Sequence, residues 1–471
     1  MKKYLIIIIL LGSLTSCKKF LDLAPEAAVT TNSFYVTASD FNAAVVSCYS
    51  ALRSYPTTEI FPLVEYRSDN MYVKAFTAGS QDQYMINKFN DVSANSLTTA
   101  AWSDMYNGVL KCNEVTSRIE NATFSANLKA QYDGEARFIR ALYYFTLVRM
   151  YGGVPLVQTP ISVNEALSTP RSSVADVYAS IESDLNTAIT ELPETYASTD
   201  LGRVRASAAK TLLSKVYITE GNFSAAQPVL LDVIKHAGYS LQTNIANVFS
   251  VSTEMNSEVI FAIRFAKSLT GGGHGAWFSP GADSTTSEVN ASLIAAYKAD
   301  ARRKLLSFTK SGSIYYINKY ADVPDATTKN FDNDFIVLRY ADVLLMYAEC
   351  LNEISALNSD VTSESSPLFW LNQVRKRSSP TVPFTAAQYT SQSVLRDIII
   401  QERWLEFPLE GQRWFDLIRT KSAKTQLLKN SGTGAAPITD VPDFRLIYPI
   451  PNAEIQKVNN PQILSQNPGY N

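Results

Sequence analysis

Histidine is almost missing from this chain: two residues in 471, His236 and His274. No metal-ligand spacing joins them, which excludes a histidine-built zinc or acid–base centre. Cysteine is sparse as well, with Cys17, Cys48, Cys112 and Cys350 only. None forms a paired-cysteine metal motif. Cys48, Cys112 and Cys350 fall at apolar positions of helical patterns, so buried thiols acting as small apolar side chains account for them. One disulfide is possible, but no disulfide framework is implied. Charge of either sign is not in excess: 42 Lys+Arg face 44 Asp+Glu. No basic block or aromatic–basic stripe occurs, so nucleic acid is not an expected partner. An anionic ligand would meet no long-range attraction. The unbroken apolar run, Tyr4 to Leu11, is far short of the roughly 20 residues that span a bilayer.

What is present begins with that run. Met1-Lys2-Lys3, the apolar stretch and the small residues of Leu14-Thr15-Ser16 form a secretory leader over residues 1–16. It ends on Cys17, the residue that lipoprotein processing requires, and the segment resembles a bacterial lipobox. The expected mature chain starts at Cys17 and is held to a membrane by acyl chains. Loss of Lys2 and Lys3 leaves 40 Lys+Arg against 44 Asp+Glu. Hydrophobic residues make up 46% of the chain, enough for a large core. Aromatics are plentiful, with 25 Tyr, 22 Phe and 5 Trp. Those not used in the core can offer flat faces suited to stacking on sugar rings.

Residues 17–36 read as a lipidated lead-in, and residues 37–471 as a single domain. Long amphipathic helices dominate it. Phe41, Ala44, Val45, Cys48, Tyr49 and Leu52 repeat at helical spacing, as do Trp102, Met105, Tyr106, Val109, Val115 and Ile119. Glu135 to Tyr151 is stopped by Gly152-Gly153-Val154-Pro155, and Val174 to Leu192 by Pro193. Between Ser207 and Ala237, Leu213, Tyr217, Gly221, Phe223, Ala226 and Leu230 stand at the offsets of a tetratricopeptide repeat. Such a hairpin leaves an apolar face that must stack on a neighbour. Helical pairs near 40–120, 135–192, 205–237 and 338–378 give about four units. The expected fold class is therefore mainly α, built of repeat-like helical hairpins with a few short strands. Glu258 to Ala266 reads as one of those strands. Large irregular insertions occupy 55–100 and 238–335, and loops on a rigid scaffold are a common place for a binding surface.

Several separated motifs resemble the SusD/RagB family. They are the lipobox, Gly134-Glu135-Ala136-Arg137-Phe138-Ile139-Arg140-Ala141-Leu142-Tyr143-Tyr144-Phe145 with its stop Tyr151 to Pro155, and Leu338-Arg339-Tyr340-Ala341-Asp342-Val343-Leu344-Leu345. Glu402-Arg403-Trp404-Leu405-Glu406-Phe407, Glu410-Gly411-Gln412-Arg413-Trp414-Phe415-Asp416-Leu417 and the closing Tyr448-Pro449-Ile450-Pro451 to Tyr470 complete the set. The resemblance spans essentially the whole chain. It implies a non-catalytic outer-membrane lipoprotein, facing the cell exterior, that caps a TonB-dependent (SusC-like) barrel transporter and captures oligosaccharides or, in some members, peptides. It implies no cofactor. Relatives carry acidic residues just after the lipidated cysteine, whereas Lys18-Lys19 come first here and Asp22 later.

Glycoside hydrolysis needs two carboxylates across a cleft. Glu402, Glu406 and Glu410 are spaced by four, but Pro408 interrupts their helix and arginines lie at hand, so ion pairs are expected. Asp332-Asn333-Asp334 resembles part of a calcium loop, yet the glycine and closing glutamate are out of register. Gly271 to Gly275 follows a strand, but no helix follows it, so the dinucleotide reading fails. No metal site and no catalytic residue is expected.

Ligand-binding candidates come from the two aromatic insertions. The first offers Asn70, Tyr72, Phe76 and Tyr84, and the second offers Trp277, Phe278 and Tyr315. Trp277 leads, because it sits among glycines outside any helical periodicity. Trp102, Trp370, Trp404 and Trp414 occupy helical or motif positions and are expected in the core. The leading function is capture of oligosaccharides for a barrel transporter. A peptide-binding relative and a non-catalytic scaffold lipoprotein are the alternatives.

Overall fold

A reciprocal cap starts the first helix: Thr37 Oγ1 accepts from the Asp40 amide at 3.2 Å, and Asp40 Oδ2 accepts from the Thr37 amide at 2.7 Å. The helix, α1 (Ala38–Ala51), turns Phe41, Ala44, Val45 and Cys48 inward. The computed structural model describes residues 34–74, 76–268, 287–297, 300, 303–304, 308–311, 314–377, 382–430 and 438–470. The leader, Cys17 and the lead-in up to residue 33 lie outside them.

The chain continues through α2 (Gln81–Asn87), α3 (Ser96–Thr116), α4 (Ala126–Tyr151), the short α5 (Val163–Ser168) and α6 (Val174–Glu191). Then come α7 (Ala206–Thr219), α8 (Phe223–His236), the short α9 (Ala291–Ala296), α10 (Tyr340–Ile354) and α11 (Pro367–Lys376). The C-terminal part holds α12 (Gln392–Glu406), α13 (Arg413–Arg419), α14 (Ala423–Asn430) and α15 (Asn452–Val458). The fold is mainly α. Four helical hairpins, α1/α3, α4/α6, α7/α8 and α10/α11, stack in series, and α12 packs on α10. In the third hairpin, Gly221 takes φ +78°, which permits the tight turn, and Ala226 is buried where the helices approach. Gly221 donates to Ile218 O at 3.1 Å as the chain reverses. Buried side chains from Phe41 to Leu464 form one continuous apolar cluster. Trp102, Trp370, Trp404 and Trp414 all belong to it, and Cys48, Cys112 and Cys350 are buried free thiols.

Ion pairs stitch the hairpins where apolar packing leaves gaps. Arg140 grips Asp184 through Nε at 2.8 Å and Nη2 at 2.7 Å, and reaches Asn113 Oδ1 at 2.8 Å, so α3, α4 and α6 are tied together. Glu135 receives the Tyr49 hydroxyl at 2.6 Å and Arg203 at 3.1 Å, tying α1 to α4. Asp342 on α10 pairs with Lys215 of α7 and, at 2.6 Å, with Arg403 of α12. Burial alone would raise the Asp342 carboxyl, but these two cations hold it well below the usual range.

Short antiparallel strands thread this scaffold: β1 (Met71–Val73), β2 (Val259–Ile263), β3 (Ser287–Val289), β4 (Phe308–Ser311), β5 (Ile314–Ile317) and β6 (Phe335–Arg339). They pair as β1 with β3, β2 with β6, and β4 with β5. The expected strand at Glu258 to Ala266 is β2. Its weak alternation has a reason: β2 and β6 are buried on both faces.

The first insertion is less irregular than its composition suggests. Residues Tyr55–Glu65 form a π-helix containing Pro62. Glu59 on it is fully buried, and its Oε2 has no hydrogen-bond partner among the described residues. Burial raises its carboxyl well above the usual carboxylate range, and the neighbouring Asp104 adds to the rise. A raised carboxyl stabilises the fold fully below the unfolded value, and that contribution is lost as pH rises through the folded value. Glu59→Gln should therefore match the wild-type urea midpoint at pH 4.5 and exceed it at pH 8. Equal midpoints at pH 8 would show that Glu59 ionises inside the fold without cost.

Candidate ligand-binding site

The site is built from the floor upward. Asp69 and Asn70 are fully buried and lock the end of the π-helix to the C-terminal segments. Asp69 takes a two-pronged bond from Arg413 at 2.6 and 2.7 Å. Asn70 donates to Glu65 Oε2 at 2.7 Å and accepts from the Trp404 indole at 2.8 Å. Its backbone oxygen accepts from Asn290 N at 2.8 Å. Glu65 also accepts from Gly411 N at 2.7 Å, yet burial pushes its carboxyl up to about 7. Asn70 is therefore corrected from a ligand contact to a structural node: it is 0% exposed and both ends of its amide are used inside the fold.

Beyond this anchor runs β1. The pleat turns Met71 and Val73 into the core and leaves Tyr72 half-buried on the other face. Below it, Asn87 at the end of α2 accepts from Val73 N at 3.2 Å and donates to Tyr66 O at 2.8 Å, fixing α2 beneath the strand. Tyr84 on α2 and Phe76 meet edge to face, with centroids 5.7 Å apart. Phe76 is 56% exposed, an unusual place for a large apolar ring. The Lys88 ammonium stands 4.5 Å from the Tyr72 ring and 5.8 Å from that of Tyr84. Its pKa is lowered by burial. Lys74 and Glu288 close an ion pair at 2.5 Å beside the patch.

The second insertion reaches the same place. Ser287 pairs with Val73 and Glu288 with Tyr72 across β1 and β3, while β5 approaches β3. Trp277 and Phe278 lie outside the described residues. Tyr315 is in β5 opposite Lys310, but its side chain is also outside the description. So Tyr72, Phe76 and Tyr84 are brought together. Lys88 and Glu288 were missed. Lys88 stands one helical turn beyond Tyr84, which was a readable signal. Nothing in the local sequence announced Glu288, whose place depends on a strand pairing across more than 200 residues.

The other sequence candidates resolve into structure. Glu402, Glu406 and Glu410 are 1%, 1% and 4% exposed. They are buried among Arg303, Arg339, Arg375 and Arg377. Near Asp332 to Asp334, the Lys267 ammonium lies 3.1 Å from Asp322 and 3.0 Å from Asp332, where a loop cation would sit. Among the described residues, no group of three or more metal-type ligands converges. His236 is exposed and pairs with Asp232 at 2.9 Å, and His274 lies outside the described residues. No described helix is long and apolar enough to cross a membrane.

Two family models match in tandem. Residues 19–218 fit the model described as "Starch-binding associating with outer membrane", and residues 284–470 fit that of the SusD family. The chain belongs to the SusD family. It is 27% identical to SusD-like protein P25 of Formosa agariphila, over 99% of each chain. Among solved structures it resembles a laminarin-binding SusD-like protein, with TM-score 0.78, 24% identity and coverage of 93% of this chain and 100% of that one. It also resembles surface glycan-binding protein A of Bacteroides fluxus, with TM-score 0.78 and 25% identity, over 92% and 100%. The helical hairpins described above are thus the SusD-like fold.

Proposed function

We propose that this protein is a non-catalytic, outer-membrane glycan-binding lipoprotein. Cys17 carries its acyl anchor, and the captured oligosaccharide passes to a TonB-dependent barrel transporter. One observation carries the reading. Strands from the two variable insertions, over 200 residues apart in sequence, are hydrogen-bonded into one antiparallel pair, and the rings of Tyr72, Phe76 and Tyr84 gather beside it. Flat apolar faces with hydroxyl and ammonium groups at their edges suit sugar rings, which are apolar on their faces and hydrogen-bonding on their rims. Trp277, Phe278 and Tyr315 belong to the same site in this proposal. The full-length likeness to glycan-binding relatives and the outer-membrane description of the matched model support it.

The reading is tested by affinity electrophoresis against laminarin, starch, xylan and mannan. One polysaccharide should retard the wild type. Phe76→Ala should weaken that binding about tenfold, since loss of one stacking ring removes on the order of 1 kcal/mol or more. Trp277→Ala should do the same. Phe76 is exposed, so the melting temperature of Phe76→Ala should stay within a few degrees of wild type. Unchanged retardation in both variants would move the site elsewhere. Absence of retardation by any glycan, with mixed peptides retained, would favour peptide capture instead.

A further inference from the structure

Ala78 and Gly79 open into a cleft of about 290 Å³ that runs between the start of α2 and the start of α3. Ser96 lies on its wall, and the same serine lines a second cleft of about 500 Å³ between α3 and α15. The two lie on either side of Ser96, and we treat them together as one groove. Its far wall is fixed, because Asn452 N at the start of α15 donates to Ser93 O at 2.8 Å. Its near wall is fixed by Asp82, whose carboxylate accepts from Ser96 N at 2.9 Å.

The polar lining of this groove is amide and hydroxyl: Gln81, Gln83, Thr99, Ser103, Asn452 and Gln456. Asp82 is the one charged side chain on it, and it is occupied by Ser96. The side chains of Gln81, Gln83, Ser103, Asn452 and Gln456 make no hydrogen bond within the described fold. Each can both donate and accept. A row of uncommitted, uncharged, two-way hydrogen-bonding groups matches a neutral polyhydroxylated chain. It gives an anionic ligand no counter-charge.

We propose that this groove is an extended subsite for neutral oligosaccharides, holding the sugar units that run beyond the aromatic patch. The proposal rests on the glycan reading given above. It makes the protein selective for chain length: the patch holds a short fragment, and the groove adds affinity only for a longer one. Individual hydrogen bonds to sugar hydroxyls are weak once water exchange is counted, so several must act together.

The test uses tri- and hexasaccharides of laminarin, starch, xylan and mannan, titrated calorimetrically into the mature protein. For the glycan bound, the hexasaccharide should bind about tenfold tighter than the trisaccharide, the equivalent of two or so net hydrogen bonds. Ser103→Trp fills the groove from an exposed helix position. It should abolish the hexasaccharide advantage and leave trisaccharide affinity unchanged. The milder pair Asn452→Ala/Gln456→Ala should reduce the advantage and serves if the tryptophan variant fails to fold. A hexasaccharide advantage equal to wild type in a folded groove variant would overturn the subsite. So would a wild type that binds both lengths equally. A wild type that binds none of the eight sugars would overturn the glycan reading itself.

Discussion

Arg339→Met should be the most damaging conservative-sized change in this protein. Arg339 closes β6 and is almost wholly buried. Its Nε donates to Glu410 Oε2 at 2.7 Å, its Nη1 to Glu258 Oε1 at 3.0 Å and Glu406 Oε1 at 2.6 Å, and its Nη2 to Glu410 Oε1 at 2.9 Å. The guanidinium also lies 4.4 Å from the Phe407 ring. Methionine fills much of the volume but leaves three buried carboxylates short of a cation. Arg377 still bridges Glu258 and Glu406, Arg303 still touches Glu406 at 2.9 Å, and Lys319 still holds Glu410 at 2.6 Å. Removing one partner from a buried ion cluster typically costs about 3–5 kcal/mol, because the remaining charges stay desolvated. That is a large share of the roughly 5–15 kcal/mol that holds a domain folded.

The effect carries a pH signature. In the wild type, burial pushes the Glu406 carboxyl up, but Arg377, Arg303 and Arg339 together hold it well below its usual range. Such a group contributes stability above its unfolded pKa and loses it as pH falls. Without Arg339 that contribution shrinks, and protonation of carboxylates left with fewer cations relieves the variant. The deficit in urea midpoint should therefore be largest at pH 7 and shrink as pH is lowered below about 4. A deficit independent of pH would assign the loss to packing and not to charge.

This cluster shows what the sequence made legible and what it hid. Helical periodicity marks the hairpins because each helix buries one stripe, as Phe41, Val45 and Cys48 do in α1. The motif Glu402-Arg403-Trp404-Leu405-Glu406 reads as ion pairs from its alternating charges, and so it is built. The cations that meet its glutamates, Arg303, Arg339, Arg375 and Arg377, come from other segments, and no local pattern names them. The same limit applies at the surface. The aromatic content of both insertions marks them as candidate ligand loops, and Tyr72, Phe76 and Tyr84 do gather. Asn70 has the residue type expected of a sugar contact, yet it is spent on Glu65 and Trp404. Polar type alone cannot tell an anchor from a contact, because that depends on which partner folds against it. The π-helix escaped for a related reason: its two prolines and threonines read as a loop, while burial of Ile60, Phe61, Leu63 and Val64 holds it wound.

Gly108→Ala should be nearly as damaging, and for a purely steric reason. Alanine is the better helix former by about 1 kcal/mol, so at an exposed position in α3 the change would stabilise. Here a Cβ would lie 2.1 Å from Tyr143 Cε2 and 2.3 Å from its Cζ. Tyr143 is fully buried on α4, directly across the crossing of the first two hairpins. The ring is fully buried in a close-packed core, so it can give way only by displacing neighbouring side chains or by parting α3 from α4. Overpacking of this kind typically costs about 1–3 kcal/mol and sometimes more. Tyr143→Leu alone should also destabilise, by leaving a cavity. The double variant decides the matter: if ring and Cβ compete for one space, Gly108→Ala/Tyr143→Leu will be more stable than the sum of the single losses implies, with a coupling of about 1 kcal/mol or more. Strict additivity would mean that the helices already part enough to admit a methyl group, and the close crossing would not be what fixes the spacing of the stack.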